Sequence, residues 1–144
     1  MQQTCERIKH IFLMFKNLDR QVTLNFEKRT GISLTRYEML YTLSERGKLS
    51  QIELQQSLKI DQAAITRHLK ILEEKSYVIR NRNEQNNREV IVQITDAGKK
   101  TLEHCILDQK QFFEELYYGF TEQEIEQLQT LVKKLIDNSE KHLK

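Results

Sequence analysis

The sequence predicts a mainly α-helical chain that carries one small β-hairpin. Three observations lead there. Proline is absent from all 144 residues and glycine occurs only four times, whereas average usage of about 5% would give roughly seven prolines. Ser or Thr followed three residues later by Glu, the pattern of a helix start, occurs in three places that also precede apolar runs. Between residues 77 and 94 the apolar period changes from that of a helix to that of a strand.

The first helix is expected over residues 5–29. Ile8, Ile11, Phe12, Phe15, Leu18, Val22 and Phe26 recur at steps of three and four, a long amphipathic stripe. Gly31 closes it. Thr35 to Glu38 reads as a capping box that opens a second helix over 35–46, closed by Gly47. Ser50 to Glu53 opens a short third helix over 51–58. Asp61 caps a fourth over 62–75. Tyr77, Val78 and Ile79 then form a β-branched and aromatic run. Asn86 and Asn87 suit a turn, and Val90, Val92 and Ile94 alternate with Glu89, Ile91 and Gln93 at strand period. Thr95 caps a helix over 96–118, with Gly98 oddly inside its first turn. Thr121 to Glu124 caps the last helix over 122–142, where Ile125, Leu128, Leu131, Val132, Leu135 and Ile136 share a stripe. This order is a winged helix-turn-helix over 34–97, flanked by helices at 5–30 and 98–142 in a single protomer. The flanking stripes are wide for a chain of 144 residues. They are expected to pack against a second copy, as dimerisation helices.

Composition excludes several classes. The four glycines build no phosphate-cradling loop. The longest apolar run, Ile11 to Phe15, is far short of the ~20 residues of a membrane span. The start of the chain has no signal-peptide layout, so the cytoplasm is the expected location and no membrane partner is expected. No Ser/His/Asp or Cys/His grouping supports an enzyme, and no cofactor is expected. Net charge is only +2, but residues 59–100 carry nine Lys or Arg against six Asp or Glu, a local excess of three. The basic centre and the acidic residues Glu114, Glu115, Glu122, Glu124 and Glu126 near the end suit a nucleic-acid reader whose ends do something else.

The segment 49–72 resolves into two faces. Ile52, Leu54, Leu58, Ile60, Ile65, Leu69 and Leu72 can bury together. Gln62, Ala63, Thr66, Arg67 and Lys70 are left outside, and Ser50 opens the preceding helix. Small and polar side chains allow close approach to base edges. Thr66 and Gln62 can exchange hydrogen bonds, Ala63 can touch a thymine methyl, and Arg67 and Lys70 can meet bases or phosphates. Arg80, Arg82 and Arg88 surround the hairpin loop, which suits the strong negative potential of a narrow minor groove. The partner so expected is double-stranded DNA. A winged-helix module for protein–protein contact, without sequence-specific DNA binding, is the alternative.

The chain resembles the MarR family (multiple antibiotic resistance regulators). The resemblance rests on Gln62 to Lys75, on Tyr77-Val78-Ile79-Arg80 and on Arg88 to Gly98, in family order and spacing. It implies a DNA-binding transcriptional regulator, most often a repressor. It implies a homodimer on a pseudo-palindromic operator, recognition helices in successive major grooves and wings in the flanking minor grooves, with half-sites about 10 bp apart. The first and last two helices would form the dimer interface. The family's wing arginine falls on Arg88. Two residues earlier the family usually has Asp, where this chain has Asn86.

The resemblance also implies release by a signal. Phe12, Phe15, Tyr37 and Tyr41 are candidate walls of an effector pocket, or simply core and interface aromatics. Cys5 and Cys105 are candidate redox residues. The family's peroxide-sensing cysteine would fall near Phe12, about two turns beyond Cys5. An intersubunit Cys5–Cys105 disulfide is one reading of the pair; a core Cys105 and a spectator Cys5 is the other. Glu38, His104 and Cys105 could approach one another, but their spacing is no recognised metal motif, and no metal site is expected.

Overall fold

The computed structural model describes residues 1–143. In chain order the elements are α1 (Gln2–Thr30), α2 (Leu34–Arg46), β1 (Leu49–Ser50), α3 (Gln51–Leu58), α4 (Gln62–Glu74), β2 (Val78–Arg82), β3 (Val90–Ile94), α5 (Asp96–Leu116) and α6 (Glu122–His142). The fold is the mainly helical winged helix-turn-helix that the sequence predicts. No helix among the described residues is long and apolar enough to cross a membrane.

The helix boundaries follow local chemistry. Ser50 and Thr121 form complete capping boxes, each hydroxyl accepting from the N–H of the Glu three residues on. Asp61 Oδ1 accepts from the N–H of Ala64 at 2.7 Å. Thr95 Oγ1 accepts from the N–H of Gly98 at 3.1 Å. The start of α2 differs from expectation. Its cap is Ser33, whose hydroxyl accepts from the N–H of Arg36, and Thr35 lies inside the first turn. Two polar residues compete to cap this helix, and the one nearer the Gly31 turn prevails.

The sheet holds three antiparallel strands in the order β1-β3-β2. Val78 pairs with Ile94 and Arg82 with Val90. The added strand β1 pairs Leu49 with Val92 and Ser50 with Ile91. Two residues are too few to show a period, so the sequence carries no strand signal for β1. Gly98 is where α5 meets the sheet. A Cβ there would strike the backbone carbonyl of Tyr77 and come within 2.7 Å of Ile94 Cγ1.

The described chain forms two compact units, Met1–Lys110 and a second from Gln111 onward. In the first, Phe26, Met39, Leu40, Leu43, Leu54, Ile65, Leu69, Leu72, Val78 and Val92 are fully buried. On α4, Ile65, Leu69 and Leu72 sit at helical spacing and all turn inward. Ile52 does not join them and is 60% exposed. It lies two residues from the buried Leu54, about 200° round the helix, so both cannot face one core. The long stripes of α1 and α6 are uncovered in the protomer. Phe26 is the buried residue of α1, and none of α6 is buried.

Candidate nucleic-acid interface

The candidate surface is built from the α3–α4 turn outward. Lys59 closes α3 in the left-handed region at φ 55°, and Asp61 opens α4 two residues later. This turn holds the apolar faces of both helices inward. Gln62, Ala63, Thr66, Arg67 and Lys70 are all exposed and line one open concavity of about 600 Å³. The structure thus brings five sequence-selected residues onto one face. Thr66 Oγ1 donates to the carbonyl of Gln62 at 2.8 Å, which leaves the hydroxyl as an acceptor toward a base.

Ser50 is placed differently. It is 2% exposed, and its hydroxyl is held by the N–H of Glu53 at 3.0 Å. It caps the start of α3 and lines the floor of the cleft that Arg88 also lines.

The three wing arginines separate. Arg80 is drawn back to α4, where Nε and Nη2 each donate to a Glu73 carboxylate oxygen at 3.1 Å. That guanidinium holds the Glu73 carboxyl below the ordinary carboxylate range. Arg80 therefore ties the wing to α4, away from the loop. Arg82 Nη1 donates to the carbonyl of Asn87 at 2.8 Å and braces the loop. Arg88 is exposed, and its backbone N–H donates to Asn86 Oδ1 at 3.2 Å. It lines a cleft of about 190 Å³ with Gln51, Ile52, Gln55 and Gln62. Asn83 organises the loop from inside. Its N–H donates to the carbonyl of Glu89, and its side-chain amide to Glu89 Oε2, both at 2.8 Å.

A contact between α2 and α4 has no counterpart in the sequence reading. Arg36 Nη1 lies 3.3 Å from His68 Nδ1. Burial and the guanidinium charges of Arg36 and Arg67 push the histidine below its ordinary pKa. The two residues lie 32 positions apart, and no local pattern links them.

The four candidate pocket aromatics do not surround one cavity. Tyr37 and Tyr41 stack with centroids 6.2 Å apart, and Tyr37 meets Phe26 edge-on at 5.1 Å. Gln109 Nε2 donates to Tyr37 Oη at 2.7 Å. These tyrosines line a cavity of about 280 Å³ together with Glu45, Lys99, Leu102 and Glu103. Phe15 lines a separate groove on α1, and Phe12 lies 70% exposed. Helical spacing put Phe12 and Phe15 on the uncovered stripe of α1, whereas Tyr37 and Tyr41 look toward α5.

Both cysteines are free thiols. Cys5 is exposed and Cys105 buried. Burial, with the Asp108 charge beside it, pushes the Cys105 thiol above its ordinary pKa, the wrong direction for a reactive thiolate. Among the described residues no three His, Cys, Asp or Glu side chains are placed to hold a metal ion, so Glu38, His104 and Cys105 do not converge.

Known proteins resemble this chain in sequence and in fold. The MarR family model matches residues 32–90. The uncharacterized HTH-type transcriptional regulator YdgJ of Bacillus subtilis is 34% identical over 120 residues, which cover 83% of this chain and 73% of that protein. The HTH-type transcriptional regulator SarZ of Staphylococcus epidermidis is 32% identical over 120 residues, covering 80% and 79%. Among solved structures, a mutant MarR from E. coli complexed with operator DNA superposes with a TM-score of 0.81 at 23% identity, covering 90% of this chain and 95% of that one. Bordetella bronchiseptica BpsR, described with the regulation of its DNA binding by 6-hydroxynicotinic acid, superposes at 0.78 with 16% identity, covering 88% and 98%.

Proposed function

Because the chain belongs to the MarR family of DNA-binding transcriptional regulators, we propose that it acts as a cytoplasmic homodimeric repressor of a pseudo-palindromic operator. The observation that carries this is the exposed row Gln62, Ala63, Thr66, Arg67 and Lys70, held on one face by a fully buried apolar row on the same helix. α4 would read base edges in the major groove. Arg88, with Arg82 bracing its loop, would reach the flanking minor groove. Arg80 serves this reading indirectly, by fixing the wing against α4.

Residues 34–97 form the reading lobe in this proposal, and residues 5–30 and 98–142 the dimerisation helices. The uncovered stripes of α1 and α6 support it, with Ile8, Phe12, Leu18, Leu131 and Leu135 among their exposed residues. A small molecule would relieve repression by entering the cavity beside Tyr37 and Tyr41. The regulation of BpsR by 6-hydroxynicotinic acid supports a small-molecule signal. A thiol signal has less support, since Cys105 is buried with a raised pKa.

Selection of bound sequences from random duplex DNA at about 150 mM salt tests the reading. A two-fold symmetric site of about 16–20 bp is expected. A module used only for protein–protein contact would enrich no sequence and show no steep loss of DNA affinity with salt. That outcome would overturn the operator reading.

A further inference from the structure

The contact between Arg36 and His68 falls outside every role described above. Arg36 stands in the first turn of α2, and His68 stands on α4 beside Arg67. A guanidinium can only donate. With Arg36 Nη1 at 3.3 Å, Nδ1 is the accepting nitrogen, and the neutral ring carries its proton on Nε2. Both side chains are half-buried, while Arg67 is exposed. One residue on a helix is 100° of rotation, so His68 flanks the outward row at its edge. Among the described residues none of Arg36, Arg67 and His68 is paired with a carboxylate. Arg80 is the contrast, since its guanidinium is met by Glu73.

Two cations thus flank a histidine with no counter-ion, at the edge of the surface that turns toward DNA. A half-buried edge with excess positive charge is stabilised when an anion completes it. A phosphodiester fits that need in charge, and it accepts hydrogen bonds from guanidinium and imidazolium alike. We propose that Arg36, His68 and Arg67 form a binding site for a DNA backbone phosphate, and that His68 takes up a proton from solvent when the phosphate docks. The inference rests on the reading of the chain as a DNA binder and adds a contact site and a proton to it.

The sign follows from the groups around the ring. The charges acting on it are Arg36 from α2 and Arg67 from α4 itself, and both oppose protonation in the free protein. A phosphate at the site favours protonation. Between the two pKa values the complex binds a proton that the free protein does not. DNA affinity therefore tightens as pH falls through that window, by at most about tenfold per pH unit for each protomer. The contact is to the backbone, so the effect is independent of base sequence.

The test uses the full chain and a labelled duplex of about 30 bp of arbitrary sequence, at low fixed salt, titrated by anisotropy from about pH 8 to about pH 6. The wild type is expected to tighten as pH falls. His68→Gln is expected to flatten that profile. Arg36→Gln is expected to lower the slope of log affinity against log salt by about one per protomer. The His68 ring proton resonance of the wild type, titrated with and without duplex, is expected to move to higher pKa with DNA. Wild-type pH dependence in His68→Gln overturns the proposal, as does an unmoved His68 titration. Absence of duplex binding at every pH and salt overturns the DNA reading itself, a different failure from binding without proton uptake.

Discussion

Ser76 occupies the left-handed region at φ 63°, at the turn between α4 and β2. A side chain there costs roughly 1–2 kcal/mol in local sterics, partly offset by the flexibility glycine adds to the unfolded chain. Its contacts are made by backbone atoms. Its N–H donates to the carbonyl of Glu73, and its carbonyl accepts from Thr95 Oγ1 at 2.6 Å. Ser76→Gly keeps both bonds and should stabilise the fold by about 0.5–1 kcal/mol, raising Tm by a few degrees. A lower Tm would mean that the serine hydroxyl contributes something beyond these contacts. Glu73 makes a second residue-scale prediction. Its folded pKa is depressed by Arg80, so its contribution to stability is present above the unfolded carboxylate pKa and lost as pH falls through the folded one. The Glu73 side chain is 43% exposed, which limits the pair to below about 1 kcal/mol. Glu73→Gln should be slightly less stable than wild type at neutral pH, and the two melting curves should converge in acid. Curves that differ equally at all pH would assign the effect to packing.

At the scale of elements, what was legible depended on how local the cause is. Caps act within four residues, so Ser50, Asp61, Thr95 and Thr121 could be read directly. The periods of α4 and β3 were equally plain, because each turns one face inward. The partner of Arg80 was not legible. Nothing in the run Arg80 to Arg88 says that one arginine folds back on Glu73 while another stays exposed. β1 is set by its pairing with β3 rather than by its own two residues, and the Arg36–His68 contact by the packing of α2 on α4. The wing carries a prediction of its own. Asn86 meets the backbone N–H of Arg88, so the loop is held while no carboxylate from Asn86 competes for the guanidinium. Arg88→Ala should weaken operator binding across sequences and reduce the salt slope by about one per protomer. Unchanged affinity and slope would remove the wing from the interface.

At the scale of the whole molecule, the decisive fact is where apolar surface remains. The core of the first unit holds α2, α3, α4 and the sheet together, since all contribute fully buried residues. The stripe of α1 beyond Phe26 and the whole stripe of α6 are left in solvent by the protomer. Ile125, Leu128, Leu131, Leu135 and Ile136 recur along α6 at helical spacing and are each at least 37% exposed. Burying a large aliphatic side chain is worth about 1.5–3 kcal/mol, so a stripe of five left in water is a substantial driving force for association. A charge placed in the middle of that stripe would be desolvated without a partner in any assembly that covers it. Leu131→Asp should therefore sediment as a monomer at micromolar concentration where the wild type sediments as a dimer. Its Tm should lose the dependence on protein concentration that a dimer shows. Its affinity for a two-fold operator should fall well beyond the loss expected from one charge, because a monomer engages one half-site without the gain of a linked second contact. A wild type that is monomeric at the same concentration, yet still binds a symmetric site, would mean that DNA assembles the pair, and that the α6 stripe is covered only on the operator.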